Sequence, residues 1–254
     1  METGLGDKVV LVTGGAGGIG QAICRKFAEE GAKVAVHFHT SSEEAESLAA
    51  EIGGIAVHAD LRVPSQADEM VAEVVSKMGG VDVCVANSGS YPSETKPIWE
   101  IDEERWTSTI ISNLGVTANT SRSFLSHAST RGSGSLVLVG STAGVYGEAG
   151  HSDYAAAKGA ITTGLLLSLK NEVSRLGSVR VNAVAPGWTL TEKKAETGLD
   201  ERVIERAKST MALKKLASPN DVAMAIVSLS SDEVSGHITG QVVEVAGGME
   251  GRLV

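Results

Sequence analysis

The sequence predicts an α/β domain: one doubly wound parallel sheet of about seven strands, with helices on both faces. Three observations carry that expectation. Short β-branched runs alternate with segments of helical period along all 254 residues, as when parallel strands are joined by crossover helices. The strand-like runs, such as KVVLV and SLVLV, are almost continuously apolar, which requires burial on both faces. No linker, repeat or low-complexity tract interrupts the alternation, so residues 1–254 read as a single domain.

In chain order, the first strand is expected over Lys8 to Val12, followed by a glycine-rich turn. The first helix, Gly18 to Glu30, places Ile19, Ile23 and Phe27 on one face and closes at Gly31. A strand over Lys33 to His37 leads into a helix over Ser42 to Ile52, and a strand over Gly54 to Ala59 into a helix over Pro64 to Met78. The fourth strand spans Val81 to Ala86, and a long helix, Glu103 to Thr130, precedes the fifth at Ser135 to Val139. Beyond it come a helix over Ser152 to Leu176, a strand over Arg180 to Val184, helices over Glu201 to Met211 and Pro219 to Ser230, and a last strand over Gln241 to Val245. The longest stretches without period, Ser88 to Asp102 and Trp188 to Asp200, are expected to line the crevice at the carboxyl ends of the strands.

Composition excludes several classes. With 42% hydrophobic residues, disorder is ruled out, and 30 Gly without a three-residue period rule out a collagen-like chain. The 22 Lys+Arg against 31 Asp+Glu give a formal charge of −9, so no broad basic surface invites nucleic acid. Apolar runs fall far short of the roughly 20 residues a membrane helix needs. The start, METGLGDK, lacks a secretory pattern, which predicts a cytoplasmic protein. Cys24 and Cys84 cannot form a disulfide scaffold, and the six His have no metal-ligand spacing, so no metal is expected.

The turn after the first strand reads Thr13-Gly14-Gly15-Ala16-Gly17-Gly18-Ile19-Gly20. A glycine triplet alone is a weak signal; its place between an apolar strand and a helix start strengthens it. Without side chains the backbone can approach a pyrophosphate, whose charge is stabilised by the free N–H groups of the helix. Two registers fit: Gly15, Gly17 and Gly20, or Gly14, Gly18 and Gly20. In dinucleotide-binding folds a carboxylate at the end of the second strand takes the 2′-hydroxyl of NAD. Here Phe38 stands in that place and no carboxylate precedes Glu43, while His39, Thr40 and Ser41 offer donors to a 2′-phosphate. That favours NADP, although no basic residue is recognised in or beside these loops and NAD stays open. Thr40 or Ser41 with Glu43 or Glu44 also fits a helix capping box.

Tyr154 and Lys158, four residues apart in a helical segment, share one face a turn apart. Ser141 ends a buried strand 13 residues before Tyr154. Together with the glycine loop upstream, this order of motifs resembles the short-chain dehydrogenase/reductase family over essentially the whole chain, which implies a Rossmann-type fold. The resemblance implies a catalytic set of Asn113, Ser141, Tyr154 and Lys158. It also implies cofactor contacts at Gly14, Gly15, Gly18, Ile19 and Gly20, at His39, Thr40 and Ser41, at Asp60-Leu61, at Asn87 and Gly89, at Tyr154 and Lys158, and at Pro186-Gly187 with Thr189. Ala86-Asn87-Ser88-Gly89 and Ser112-Asn113-Leu114-Gly115 depart from the family's usual wording but keep the functional Asn.

Such enzymes add hydride to a carbonyl, and the alkoxide needs a proton from a positioned acid. A tyrosine of ordinary pKa near 10 requires about 4 kcal/mol of phenolate stabilisation to approach 7. One ammonium about 4 Å away supplies roughly that at an effective dielectric near 20. Lys158 is expected in that role, Tyr154 as the acid, Ser141 as the group orienting the substrate oxygen and Asn113 as a water holder. Candidate substrate-pocket residues are Ala143, Tyr146, Glu148, His151 and Trp188.

Length, the Tyr-Ala-Ala-Ala-Lys run and the ending Ala246-Gly247-Gly248-Met249 look most like the 3-oxoacyl-carrier-protein reductase branch. That likeness implies reduction of a 3-oxoacyl thioester and an acyl carrier protein docked near Arg131 and Arg175. Sugar or polyol dehydrogenation is the alternative, and a non-catalytic dinucleotide sensor a remote one. The helices Glu103 to Thr130 and Ser152 to Leu176 carry surplus apolar surface, which predicts self-association; the family analogy implies a homotetramer.

Overall fold

The computed structural model describes residues 2–191 and 200–249. Seven strands, β1 (Val9–Val12), β2 (Lys33–Phe38), β3 (Ile55–His58), β4 (Val83–Ala86), β5 (Ser133–Val139), β6 (Ser178–Pro186) and β7 (Val242–Val245), form one sheet in the order β3-β2-β1-β4-β5-β6-β7. Every pairing is parallel; Val10 faces Val34 of β2 on one side and Val83 of β4 on the other. The chain winds outward from β1 to β3, then crosses back to β4. A crevice therefore opens at the carboxyl ends of β1 and β4, where the winding reverses.

Strand alternation divides the core in two. Val9 and Leu11 point to the face covered by α3 (Pro64–Met78), α5 (Val116–Arg131) and α8 (Leu166–Glu172), with Met70, Phe124 and Leu166 packed there. Val10 and Val12 point to the other face, with Ile23 and Phe27 of α1 (Gly18–Glu29), Leu48 of α2 (Ser42–Ile52) and Ile226 of α10 (Pro219–Ser230). Phe27 and Phe124, both fully buried, anchor opposite faces; truncating either to Ala removes about 3–5 kcal/mol.

The two long helices expected from periodicity are interrupted. The first runs as α4 (Glu103–Ile110), a π-helical turn at Ile111–Gly115, and α5. The second runs as α7 (Ser152–Ala160), a π-helical turn at Ile161–Leu165, α8, and a 3₁₀ turn at Val173–Arg175. A π turn slips in an extra residue without ending the helix, so the apolar periodicity survives and conceals it. Shorter elements that periodicity does not register are a 3₁₀ turn at Ile98–Glu100, α6 (Thr142–Tyr146) and α11 (Asp232–Ser235). The helix expected over Glu201 to Met211 is α9 (Glu201–Ser209), capped by Asp200, and α10 begins with a capping box between Ser218 and Asp221. Much of the aperiodic stretch Trp188 to Asp200 lies outside the described residues. Among the described residues no helix is long and apolar enough to cross a membrane.

Candidate active site

The glycine loop joins β1 to α1 at the crevice. Gly14 adopts the left-handed conformation (φ +63°), its N–H donates to Nδ1 of His37 at 3.0 Å, and the Gly15 N–H donates to the His37 carbonyl at 2.9 Å. A Cβ on Gly20 would collide with the Gly14 carbonyl oxygen, so the helix can approach the loop this closely only without a side chain. The start of α1 has no side-chain cap, leaving its first N–H groups directed at a cleft of about 660 Å³. Gly14, Gly18, Ile19 and Gly20 line this cleft, in agreement with the second register. Gly15 does not: it lies beneath the loop, where an added Cβ would sit 2.8 Å from Val36 and 3.1 Å from Cys24. Its glycine serves helix-to-strand packing.

His37, which the sequence analysis assigned no role, braces the loop. Its Nε2 lies 3.0 Å from the Ala59 carbonyl while Nδ1 accepts from Gly14, so the ring is neutral and carries its proton on Nε2. Burial holds its pKa down to about 4. The opposite wall is tied in by Asn87, whose Nδ2 donates to the carbonyls of Thr13 (2.9 Å) and Gly14 (3.2 Å).

At the far end of the cleft, Phe38 ends β2, His39, Thr40 and Ser41 follow it, and the four line the cleft with Asp60, Leu61 and Arg62 after β3. Ser41 occupies the N-cap of α2 without making a side-chain cap bond, so the capping box is not formed and both hydroxyls flank the cleft. Arg62 corrects the expectation that no basic residue stands here. It grips Asp60 through Nε (2.8 Å) and a terminal nitrogen (2.7 Å), and its hydrogen bonds pull the Asp60 carboxyl down to about 2. His39 Nε2 lies 3.8 Å from the same carboxylate. Only a search extended to the loop after the third strand would have found Arg62.

A second cavity, of about 210 Å³, continues the cleft along β5 and β6 and holds Asn113, Ser141, Tyr154 and Lys158 together with Asn87, Gly89, Pro186, Gly187, Thr189 and Thr191. Ser141 ends β5 and its Oγ accepts the Ala143 N–H at 3.1 Å, which starts α6. Lys158, one turn after Tyr154 on α7, is buried and donates to the Val139 carbonyl at 3.0 Å. Burial lowers its pKa to about 8. Asn113 sits in the first π turn, fully buried; its Nδ2 donates to the carbonyls of Ser90 (2.9 Å) and Thr109 (3.0 Å), and its Oδ1 has no partner among the described residues. A Cβ on Gly89 would lie 2.7 Å from that Oδ1 and 3.2 Å from the Lys158 ammonium. Thr191 is a lining residue that sequence reasoning missed.

The electrostatics depart from the expectation of a phenol lowered by Lys158. Burial pushes the Tyr154 pKa up, Ser141 opposes it by hydrogen bonding, and the Glu148 charge adds to the rise. The Lys158 nitrogen lies 5.8 Å from the Tyr154 ring centroid and is spent on Val139.

On the outer side of Tyr154 and Ser141 a cavity of about 270 Å³ is walled by Tyr91, Thr142, Ala143, Glu148, Gly187 and Trp188. Ala143, Glu148 and Trp188 are therefore where expected. Tyr146 instead donates to Glu244 at 2.7 Å, and His151 lies buried behind Tyr91. Tyr91 falls in an aperiodic segment with no pattern to single it out. Below it, Arg105 donates to the fully buried Asp153 (2.9 Å) and to the Glu94 carbonyl (2.8 Å), binding this loop to the start of α7. Arg131 and Arg175 are not at the entrance within one chain. Arg131 pairs with Asp82 just before β4, and Arg175 just precedes β6, so both stand at the amino edge of the sheet, opposite the cleft.

Residues 8–202 match the model of the short chain dehydrogenase family. The chain belongs to this family. It is 36% identical over 253 residues to the 3-oxoacyl-[acyl-carrier-protein] reductase FabG of Thermotoga maritima, covering 96% of this chain and 98% of that one. A FabG of Staphylococcus epidermidis is 32% identical over 96% of this chain and 99% of its own. The human dehydrogenase/reductase SDR family member 4 is 33% identical, over 98% and 90%. The protein is an NAD(P)-dependent oxidoreductase of secondary alcohols and ketones.

Proposed function

We propose that this short-chain dehydrogenase uses NADP(H) to reduce a ketone to a secondary alcohol, with Tyr154 as proton donor. The observation that carries the reading is the meeting of Ser141, Tyr154, Lys158 and Asn113 in one cavity continuous with the glycine-loop cleft. The residues present fit a dinucleotide: the loop offers α1's free N–H groups, and the close-packed Gly14, Gly20 and Gly89 leave room where side chains would intrude. When bound, the nicotinamide supplies or accepts the hydride.

The chain's own groups do the rest. Ser141 and Tyr154 hold the substrate oxygen between two hydroxyls, and Tyr154 passes its proton to the developing alkoxide. A phenol kept protonated by its surroundings suits that direction. Lys158 stabilises the phenolate left behind. The orphaned Asn113 Oδ1 holds a water through which Lys158 recovers a proton from solvent.

The preference for NADP rests on the end of β2, where Phe38 replaces a carboxylate and His39, Thr40, Ser41 and Arg62 line the cleft. The resemblance to reductases named for 3-oxoacyl carrier-protein substrates supports 3-oxoacyl thioesters as the substrate class. A polyhydroxy substrate is the second reading, favoured by Glu148 in the outer cavity. We also infer a homotetramer, supported by the exposed Ile111 and Leu167 at the two π turns and the helix that follows.

Steady-state assays with NADPH and NADH against acetoacetyl thioesters and sugars test this reading. Turnover of the thioester with NADPH, lost in Tyr154→Phe, is expected. Equal rates for wild type and Tyr154→Phe, or tighter binding of NADH than NADPH, would refute the corresponding part.

A further inference from the structure

Glu148 is the carboxylate in the wall of the outer cavity, alongside Ser141 and Tyr154. It stands near enough for its charge to act on the Tyr154 phenol. Its position is fixed from the far side. The Tyr91 hydroxyl donates to Oε1 at 2.5 Å, and the same phenol oxygen lies 3.1 Å from Nδ1 of His151. A phenol has one proton to give, and here it goes to the carboxylate; His151 must therefore donate in the second contact, from Nδ1. The result is a chain of donors running from His151 through Tyr91 to Glu148. Ring contacts reinforce it: Tyr91 lies 4.5 Å from the His151 ring and meets the Tyr154 ring edge-on at 5.0 Å.

The other carboxylate oxygen, Oε2, accepts no hydrogen bond from the described residues. Glu148 belongs to a cavity whose neighbouring walls include the apolar Ala143 and Trp188. In such a place a carboxylate oxygen discriminates strongly between ligands. A hydroxyl hydrogen forms a charge-assisted bond with it, an alkyl group strips its water and returns nothing, and a second carboxylate repels it.

We propose that Glu148 determines substrate specificity: its free oxygen receives a hydroxyl of the substrate while the carbonyl lies between Ser141 and Tyr154. Of the two substrate readings above this selects the second over 3-oxoacyl thioesters: the substrates are hydroxylated ketones and the corresponding diols, and ketones with a carboxylate near the carbonyl are turned away. Tyr91 is the positioning residue that holds Glu148 in place. This assignment rests on the reading of Ser141 and Tyr154 as the reacting end of the site.

The test is kcat/KM with NADPH for four small ketones of similar size: 1-hydroxy-2-butanone, 4-hydroxy-2-butanone, 2-pentanone and acetoacetate. In the wild type at least one hydroxyketone is expected to exceed 2-pentanone by about tenfold or more, with acetoacetate the poorest. Glu148→Leu is expected to collapse the hydroxyl preference to within about threefold. Glu148→Gln keeps an acceptor without the charge, so it retains part of that preference while admitting acetoacetate; Tyr91→Phe falls between wild type and Glu148→Leu. Coenzyme binding followed by fluorescence verifies that each variant is folded. A wild type indifferent to the hydroxyl, or a Glu148→Leu variant that keeps the wild-type ratio, would overturn the role of Glu148 alone. Absence of turnover for every ketone by a wild type that binds NADPH would overturn the underlying reading and this proposal with it.

Discussion

Asp153→Asn isolates one electrostatic interaction that positions Tyr154 without touching the reacting groups. Asp153 is fully buried: it accepts from Arg105 Nε at 2.9 Å and the Thr109 hydroxyl at 3.0 Å, and the Arg105 side chain is 14% accessible. Burial alone would raise its pKa, but the hydrogen bonds from Arg105, the Tyr154 backbone N–H and Thr109 bring it below the ordinary carboxylate value. Losing one partner of a buried pair costs about 3–5 kcal/mol. Arg105 keeps the Glu94 and Gly150 carbonyls, so the loss belongs near the lower end, about 3 kcal/mol. For a domain of this size that lowers Tm by roughly 6–12 °C.

Thermal unfolding by circular dichroism at a series of pH values reads the effect. Because the folded pKa is depressed, the stabilisation is present in full above the unfolded value of about 3.9 and disappears as pH falls through the folded one. The gap in Tm between wild type and Asp153→Asn is therefore wide at pH 7 and closes below about pH 4. Replacing both partners, as in Arg105→Met with Asp153→Leu, is expected to recover much of the stability, since no charge is then stranded. No gap at pH 7, a gap unchanged in acid, or a double variant as weak as the two single losses added together would refute the reasoning.

Tyr154→Phe is expected to lower kcat by about 10²–10⁴-fold with NADPH affinity retained, as measured by stopped-flow turnover and fluorescence titration. Gly89→Ala drives a methyl against Asn113 Oδ1 and the Lys158 ammonium, and the displaced pair is expected to cost on the order of 10²-fold in kcat while substrate KM changes little. Lys158, held down to about 8 by burial, gives two opposite trends above that pH. Reductase activity falls as the ammonium is lost, whereas its contribution to folding stability rises until the unfolded value near 10.4 is reached, because the unfolded chain then binds more protons. Arg62→Ala is expected to weaken NADPH by about tenfold more than NADH in equilibrium titrations; equal losses would remove Arg62 from 2′-phosphate recognition.

The fold was legible because burial on both sheet faces writes itself into composition. Val9–Val12 and Val83–Ala86 are fully buried strands and read as unbroken apolar runs. Helical spacing puts Tyr154 and Lys158 on one face, but their chemistry was legible only through the resemblance that the glycine loop, Ser141 and this pair carry together. What stayed hidden depends on tertiary placement. Arg62 reaches the cleft only because β3 and β2 are neighbours, with Phe38 paired to His58. That Gly15 lies beneath the loop, against Val36 and Cys24, is set by the approach of α1 to β2 and carries no mark in the glycine spacing. The expectation of a lowered Tyr154 considered Lys158 alone and left out the burial of the phenol, which raises its pKa.

The two π turns explain why the site sits where it does. An α-helix running uninterrupted from Glu103 would place Asn113 by simple 3.6-residue rotation; the extra residue of the turn instead rolls it inward, where its amide nitrogen is used twice and its oxygen not at all. A buried carbonyl left unpaired would cost about 1–3 kcal/mol, a cost that the water proposed above on Asn113 Oδ1 offsets. Lys158 and Asn113 Oδ1 both border Gly89, where an added Cβ would lie 3.2 Å from the one and 2.7 Å from the other. The reading proposed above uses that juxtaposition: a lysine this deeply buried needs a route by which a proton can return from solvent, and a side chain at position 89 would close it.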